Sequence, residues 1–428
     1  MPPSLPRLRL AGLGCGGRTT TYLKIAALNP ARFEIVAAVD PNPARRARVA
    51  ELTGTPGLRQ FHDDKAFFAE GKIADVVVIG TQDSYHVEPC LAALHLGYDV
   101  LLEKPISPDP RAVIALAAEA RRLGRRVLVC HVLRYSLFYR KVKEILDSGR
   151  LGRVVSIRMS EGVGAWHQAH SFVRGHWSVV EKSSPMLLAK CCHDLDLLSW
   201  FMGTPCESVA SFGGSTLFRA ENAPPGAPAR CTDGCPAAST CAYNAEHYLD
   251  RHRLWAGFVL EGASEGPDER IREWIRTSPW GRCVYRCDNT TVDHQVLALQ
   301  FAGGATATFT MTAFAEGRTI EICGTEANLV GGDFLNRLCG SELVLRPHAG
   351  PEERFQPTTP DADEYGHGGA DLGLVQALDL ELACPDPEQM RTSIQTSVES
   401  HLLAFAAEQS RREGRVVDMQ EFRAGLVA

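Results

Sequence analysis

The stretch that most constrains this chain is Gly12-Leu13-Gly14-Cys15-Gly16-Gly17, a G-x-G-x-x-G run that follows an apolar stretch at residues 8–12. A plausible helix opens near Arg18. In that strand–turn–helix setting Gly12 permits the tight turn and Gly14 lets backbone N–H groups, including those of Cys15 and Gly16, approach a pyrophosphate. Gly17 lets the helix pack close to the strand, and the helix N-terminus stabilises the anion. Four further apolar runs follow at residues 33–39, 75–80, 100–103 and 127–130. Several lack polar alternation, as strands buried on both faces of a parallel sheet do. Helical patterns lie between them, one of them after Pro108 with Val113, Leu116, Ala117 and Ala120 on one face and Gly124 as its stop. The first 130 residues therefore read as a doubly wound α/β unit binding a dinucleotide. Asp40, at the end of the second strand, offers a carboxylate to a ribose 2′-OH and disfavours a 2′-phosphate. That favours NAD over NADP, although Arg45 and Arg46 keep NADP open.

After residue 150 the rhythm changes. Residues 295–301 and 305–314, joined by Ala302-Gly303-Gly304, read as a β-hairpin. With further strand runs at 154–158 and 319–322, they predict an α+β unit over 131–428 built on a large, mostly antiparallel sheet. A Cys-containing insertion occupies about 215–290. A C-terminal helix runs over residues 393–412.

Three motifs carry the chemistry: Thr81-Gln82-Asp83-Ser84-Tyr85-His86, Glu103-Lys104-Pro105 at the end of a strand, and His193-Asp194-Leu195-Asp196. Together with the glycine-rich turn, they resemble the Gfo/Idh/MocA oxidoreductases, NAD(P)-dependent sugar and inositol dehydrogenases. The resemblance spans essentially the whole chain. It implies an N-terminal Rossmann domain and hydride transfer between NAD(P) and a secondary hydroxyl of a sugar, cyclitol or glycoside. By the same resemblance Lys104 touches the reacting hydroxyl and the nicotinamide, His193 is the general acid/base, and Thr81, His86 and Glu103 stand on the cofactor side. The chemistry agrees: an imidazole of ordinary pKa near 6.5 suits proton transfer at neutral pH, and a cation stabilises a developing alkoxide. Two other activities are compatible with the fold: an NAD-dependent glycoside hydrolase that oxidises its sugar transiently, and a nucleotide-sensing regulator without turnover. The pairing of Lys104 with His193 argues against the second.

A helix over residues 185–201 would put Leu187, Cys191, Leu195 and Leu198 on one side and Lys190, His193 and Asp196 on the other. Many members of the family carry an aspartate four residues before the histidine. Here that residue is Ala189, so Lys190 is expected to take a catalytic or hydroxyl-binding part. Trp166, His170, Arg174 and Trp177 are expected to form a sugar pocket, the alternative being a surface loop with its tryptophans buried. His367, in a Gly-rich stretch, is a further substrate contact.

The chain has fourteen cysteines. Cys231, Cys235 and Cys241 are spaced C-x3-C-x5-C, and with Cys283, preferred over Cys287, they offer four thiolates to a structural Zn²⁺ in an insertion expected to lack a core of its own. Reduced thiols without a metal are the competing reading. A net charge of −6, from 45 Lys+Arg against 51 Asp+Glu, argues against nucleic acid as a partner. The start of the chain lacks the pattern of a signal peptide, and no run reaches the ~20 apolar residues of a membrane span. A cytoplasmic homo-oligomer is expected.

Overall fold

The computed structural model describes residues 6–333, 342–357 and 365–427, so the first residues, read above for a signal peptide, lie outside it. Two sheets organise the chain. The first is parallel, with six strands in the order β3-β2-β1-β4-β5-β6: β1 Leu8–Leu13, β2 Phe33–Val39, β3 Arg59–Phe61, β4 Val76–Ile79, β5 Asp99–Leu102 and β6 Val127–Val129. All four residues of β4 are buried, as expected for a strand covered on both faces. The strand order reverses between β1 and β4, and the crevice beyond their carboxyl ends is where open α/β sheets bind ligands.

The second sheet has nine strands: β7 Val154–Val163, β8 Cys206–Gly214, β9 His294–Phe301, β10 Thr306–Thr312, β11 Glu316–Gly324, β12 Ala327–Asp333, β13 Leu343–Pro347, β14 Glu353–Phe355 and β15 Val417–Asp418. Their order is β14-β13-β12-β11-β7-β10-β9-β8-β15, and every pairing is antiparallel except that of β7 with β10. The expected hairpin is β9–β10, with Gly303 and Gly304 both at positive φ in its turn. β9 alternates strictly between exposed and buried residues. One face of the sheet therefore carries the core, and the other shows Phe212 and Val296, paired across β8 and β9, to solvent.

The C-terminal helix Ile394–Glu413 is capped by Ser393 and stopped by Gly414. It packs on β8 and also on β6 and the helix Pro110–Arg122, crossing back to the first sheet. The insertion differs from expectation. Its short helices Arg253–Gly257 and Asp268–Thr277 close over a core of their own, with Tyr248, Ile271, Ile275, Trp280 and Trp166 buried together. Among the described residues no helix is long and apolar enough to cross a membrane.

Candidate active site

The turn after β1 is shaped as a cradle. Gly14 has φ +76°, and a Cβ there would meet the Thr81 backbone nitrogen at 2.8 Å, so only glycine fits. The close packing of helix on strand falls on Gly12 rather than Gly17. A Cβ on Gly12 would meet Leu23 Cδ1 at 2.6 Å, whereas those of Gly16 and Gly17 would meet nothing within 4 Å. The Cys15 side chain faces inward, toward the carbonyls of Gly12 and Val39, and burial pushes its thiol up to about 12. Asp40 ends the second strand's run, with Oδ1 accepting from the Asn42 N–H at 2.8 Å and Oδ2 3.7 Å from Arg45 Nη1. Arg45 also meets Glu261 of the insertion at 3.4 Å. His86 joins the loops after β4 and β5: Nδ1 lies 2.7 Å from the Pro105 carbonyl and Nε2 3.1 Å from that of Thr81.

The Lys104–Pro105 peptide bond is cis, and Lys104 and Glu103 turn to different tasks. The buried Glu103 carboxylate accepts from Arg18 Nε (2.9 Å), from the Tyr22 hydroxyl (2.6 Å) and from the Lys104 N–H (3.0 Å). Burial works to raise its pKa, but Arg18 and Lys104 outweigh burial and hold it below the usual range. Glu103 is thus fully engaged with protein groups. Arg18 also forks onto Asp371, donating from Nη1 and Nη2 at 2.8 Å each. Asp371 Oδ1 in turn stands 3.1 Å from His367 Nδ1.

Lys104 donates from Nζ to the carbonyl of Ala189 at 2.8 Å. At the position where many relatives carry a carboxylate, this chain thus meets the ammonium with backbone oxygen. His193 is buried, and its Nδ1 has no hydrogen-bond partner. Burial first, then the charge of Lys104 and the neighbouring His367 and His131, push its pKa well below the usual value. At neutral pH the ring is therefore uncharged. The rings of His193 and His367 lie 5.7 Å apart, and those of His193 and His131 6.0 Å apart.

The expected single helix over 185–201 is broken. Met186–Ala189 and Cys192–Met202 are separate helices, with Lys190 and Cys191 between them. The apolar stripe persists, Leu187, Cys191, Leu195 and Leu198 all being fully buried. The polar side divides. Lys190 pairs with Glu161 of β7 at 3.2 Å, and Arg318 binds both Glu161 (2.6 Å) and Asp194 (2.7 Å). Asp196 does not face a cleft. Both its oxygens accept from Arg134, at 2.6 and 2.8 Å, in a pair hidden from solvent.

Of the residues expected to line a sugar pocket, His367 alone stands beside His193. Trp166 stacks on His252 at 3.8 Å inside the insertion's core, and His170 Nδ1 lies 2.7 Å from the Tyr248 hydroxyl. Arg174 donates to the carbonyls of Arg282 (2.7 Å) and Tyr243 (2.6 Å), and Trp177 Nε1 to Asp83 (3.0 Å). Desolvation explains the change: groups this buried turn to partners within the insertion and its seam, although Trp166 Nε1 and Arg174 Nη1 are left without one. Cys231, Cys235, Cys241 and Cys283 line one cavity, yet among the described residues no group of three or more His, Cys, Asp or Glu stands in a metal-holding arrangement. Arg18, Glu161, Arg318, Asp371 and His131 escaped the sequence reading. Arg18 was within reach, as a cation at the start of a helix, where it needs an anionic partner against the helix dipole.

Residues 8–131 match the Gfo/Idh/MocA oxidoreductase family's NAD-binding Rossmann fold, and residues 143–419 match its C-terminal alpha/beta domain. The chain belongs to this family. YteT of Bacillus subtilis (strain 168), named as a candidate oxidoreductase, is 27% identical over 81% of this chain and 82% of its own. The inositol 2-dehydrogenase of Streptomyces avermitilis is 28% identical over 47% of this chain and 55% of its own, so the chain spans about half of that relative. Among solved structures, an NAD-binding oxidoreductase from Klebsiella pneumoniae aligns with a TM-score of 0.71 at 16% identity, over 97% of this chain and 99% of that one. The scyllo-inositol dehydrogenase of Lactobacillus casei, solved with NAD(H) and scyllo-inositol, aligns at 0.65 and 16% identity, over 97% of this chain and all of the other. At such identities the structures speak for the fold.

Proposed function

We propose that this family member is a dehydrogenase that moves a hydride between NAD(P) and a secondary hydroxyl of a sugar, cyclitol or glycoside, with NAD the preferred cofactor. The observation that carries the reading is His193: a buried, uncharged imidazole whose Nδ1 lacks a partner, lying in the field of the Lys104 ammonium. The Gly14 cradle and the Asp40 carboxylate suit a dinucleotide. Bound NAD supplies the hydride acceptor. The protein's part is proton and charge handling. Lys104 Nζ, held by the Ala189 carbonyl, faces the substrate oxygen and stabilises its negative charge as the hydroxyl proton leaves. His193 takes that proton. His367, oriented by Asp371, binds a neighbouring hydroxyl, and Lys190, held by Glu161, binds another. The two named relatives that act on inositols support a polyol substrate. The solvent-facing Phe212 and Val296 support a homo-oligomer closed through the second sheet, and a cytoplasmic location suits a nicotinamide enzyme.

The test is a panel of inositols, sugars and glycosides incubated with NAD⁺ and purified protein while NADH absorbance is followed. Steady NADH production from at least one polyol, abolished in Lys104→Ala and His193→Ala, is the expected result. Aglycone release without net NADH would place the chain with the glycoside hydrolases instead. Tight NAD binding with no turnover on any compound would leave only the regulator.

A further inference from the structure

The dehydrogenase reading leaves the cysteines of the insertion unused. We propose that Cys231, Cys235, Cys241 and Cys283 form a closed tetrathiolate site for one Zn²⁺ that staples the insertion together.

Backbone pairing sets up the site. Arg230 and Arg282 form an antiparallel bridge. On either side of it the Cys231 N–H donates to the Gly281 carbonyl at 3.0 Å, and the Cys283 N–H to that of Ala229 at 2.9 Å. Two segments about fifty residues apart are thus clamped with a cysteine on each. The Cys241 N–H donates to the Ala237 carbonyl at 2.9 Å, folding the C-x5-C arm back on itself. All four cysteines line one cavity of about 10 Å³, room for a single water-sized sphere. That is the scale of one ion and too small for an iron–sulfur cube, and soft thiolates select zinc among the common single ions.

The choice of Cys283 over Cys287 is structural. Cys287 Sγ is turned to the Cys283 carbonyl at 3.3 Å and does not line the cavity. Donors also surround the sulfurs. The backbone N–H groups of Tyr243 and Tyr285 point at Cys241 and Cys283, two residues before each, and Arg174 Nη2 lies 3.5 Å from Cys231 Sγ. Such donors stabilise metal-bound thiolate, and a buried guanidinium offsets the negative charge of a zinc tetrathiolate. Every cysteine here is a free thiol, and as placed the sulfurs fall short of a ligand set. The proposal therefore requires the four side chains, which line one cavity, to turn their sulfurs toward a common point. Four S–Zn bonds form, four thiol protons pass to solvent, and no electron is transferred.

The test uses the full chain, purified without chelator or added metal, with zinc, iron and copper measured by elemental analysis. The expected result is about one zinc per chain, nearly all of it lost in Cys231→Ser and Cys283→Ser and fully retained in Cys287→Ser. If the serine variants are insoluble, the wild-type chain decides. Exchange of zinc for Co²⁺ should give the intense thiolate-to-cobalt band and the tetrahedral visible bands, and thiol modification should release the metal to a chromophoric chelator. Metal-free protein that takes up neither Zn²⁺ nor Co²⁺ overturns the proposal. So does iron in place of zinc, a mass lowered by disulfides, or metal retained in Cys283→Ser but lost in Cys287→Ser. None of these readouts depends on turnover, so they stand or fall apart from the dehydrogenase reading.

Discussion

The floor of the site and the insertion above it treat buried polar groups in opposite ways. On the floor, Glu103, Asp371, Glu161 and Asp194 are each matched to a cation, while His193 Nδ1 is left without a partner. In the insertion, His170 and Arg174 are met by neutral groups, a tyrosine hydroxyl and backbone carbonyls, while Trp166 Nε1 and Arg174 Nη1 keep no partner. The lesson is that the floor pairs charge with charge around imidazoles that keep unpartnered nitrogens, His193 and His131 alike. A crowd of reactive residue types, by contrast, can be a core.

The sharpest way to break this contrast is to remove the two groups on the floor. Lys104→Ala and His193→Ala should each lower kcat by about 10²–10⁴-fold, with NAD⁺ affinity by fluorescence titration nearly unchanged. Trp166→Phe should leave KM for the polyol close to wild type. A KM rise matching the kcat loss of Lys104→Ala would return Trp166 to the substrate site. Next in size is the Arg134–Asp196 pair. Arg134→Met strands a buried carboxylate and should cost about 3–5 kcal/mol in urea unfolding, whereas a variant that keeps its stability and loses only turnover would restore Asp196 to the substrate.

Acid should separate the same regions more gently. Burial pushes His170 and His401 down to about 3, against ~6.5 in the unfolded chain. Below ~6.5 the unfolded chain binds protons that the native state refuses. The stability contributed by these neutral rings is therefore full above that pH and is lost as pH falls toward about 3. Urea midpoints should drop between pH 7 and 5, and His401→Gln should show a shallower drop. An unchanged slope would mean that the ring is not buried uncharged. The smallest effect belongs to the seam between the regions. Glu261→Gln removes a partly exposed partner of Arg45, worth ~0–1 kcal/mol, and should shift KM for NAD⁺ less than about fivefold.

The fold was legible wherever a pattern repeats along the chain. Five of the six first-sheet strands, the β9–β10 hairpin and the Gly414 stop of the C-terminal helix follow from apolar period and turn chemistry, whereas the polar, largely exposed β3 does not. The glycine turn, Asp40 and Lys104 lie at strand ends, where the sequence reading put them, while His193, read from the family resemblance as lying within one long helix, stands at the start of the helix Cys192–Met202. The break at Lys190, the partners of Arg18 and the insertion's core were not legible. Each depends on a residue distant in sequence, such as Glu161 for Lys190 or Trp166 for Tyr248, and no local period encodes such a meeting.

Arg18 carries a further consequence. Its guanidinium joins Glu103, 85 residues away, to Asp371, 353 residues away. During synthesis the nucleotide-binding half leaves the ribosome long before residue 371 exists, so it emerges with that cation only half satisfied and His367 not yet made. The fork that ties the two halves together through Arg18 therefore closes only in the last eighth or so of translation.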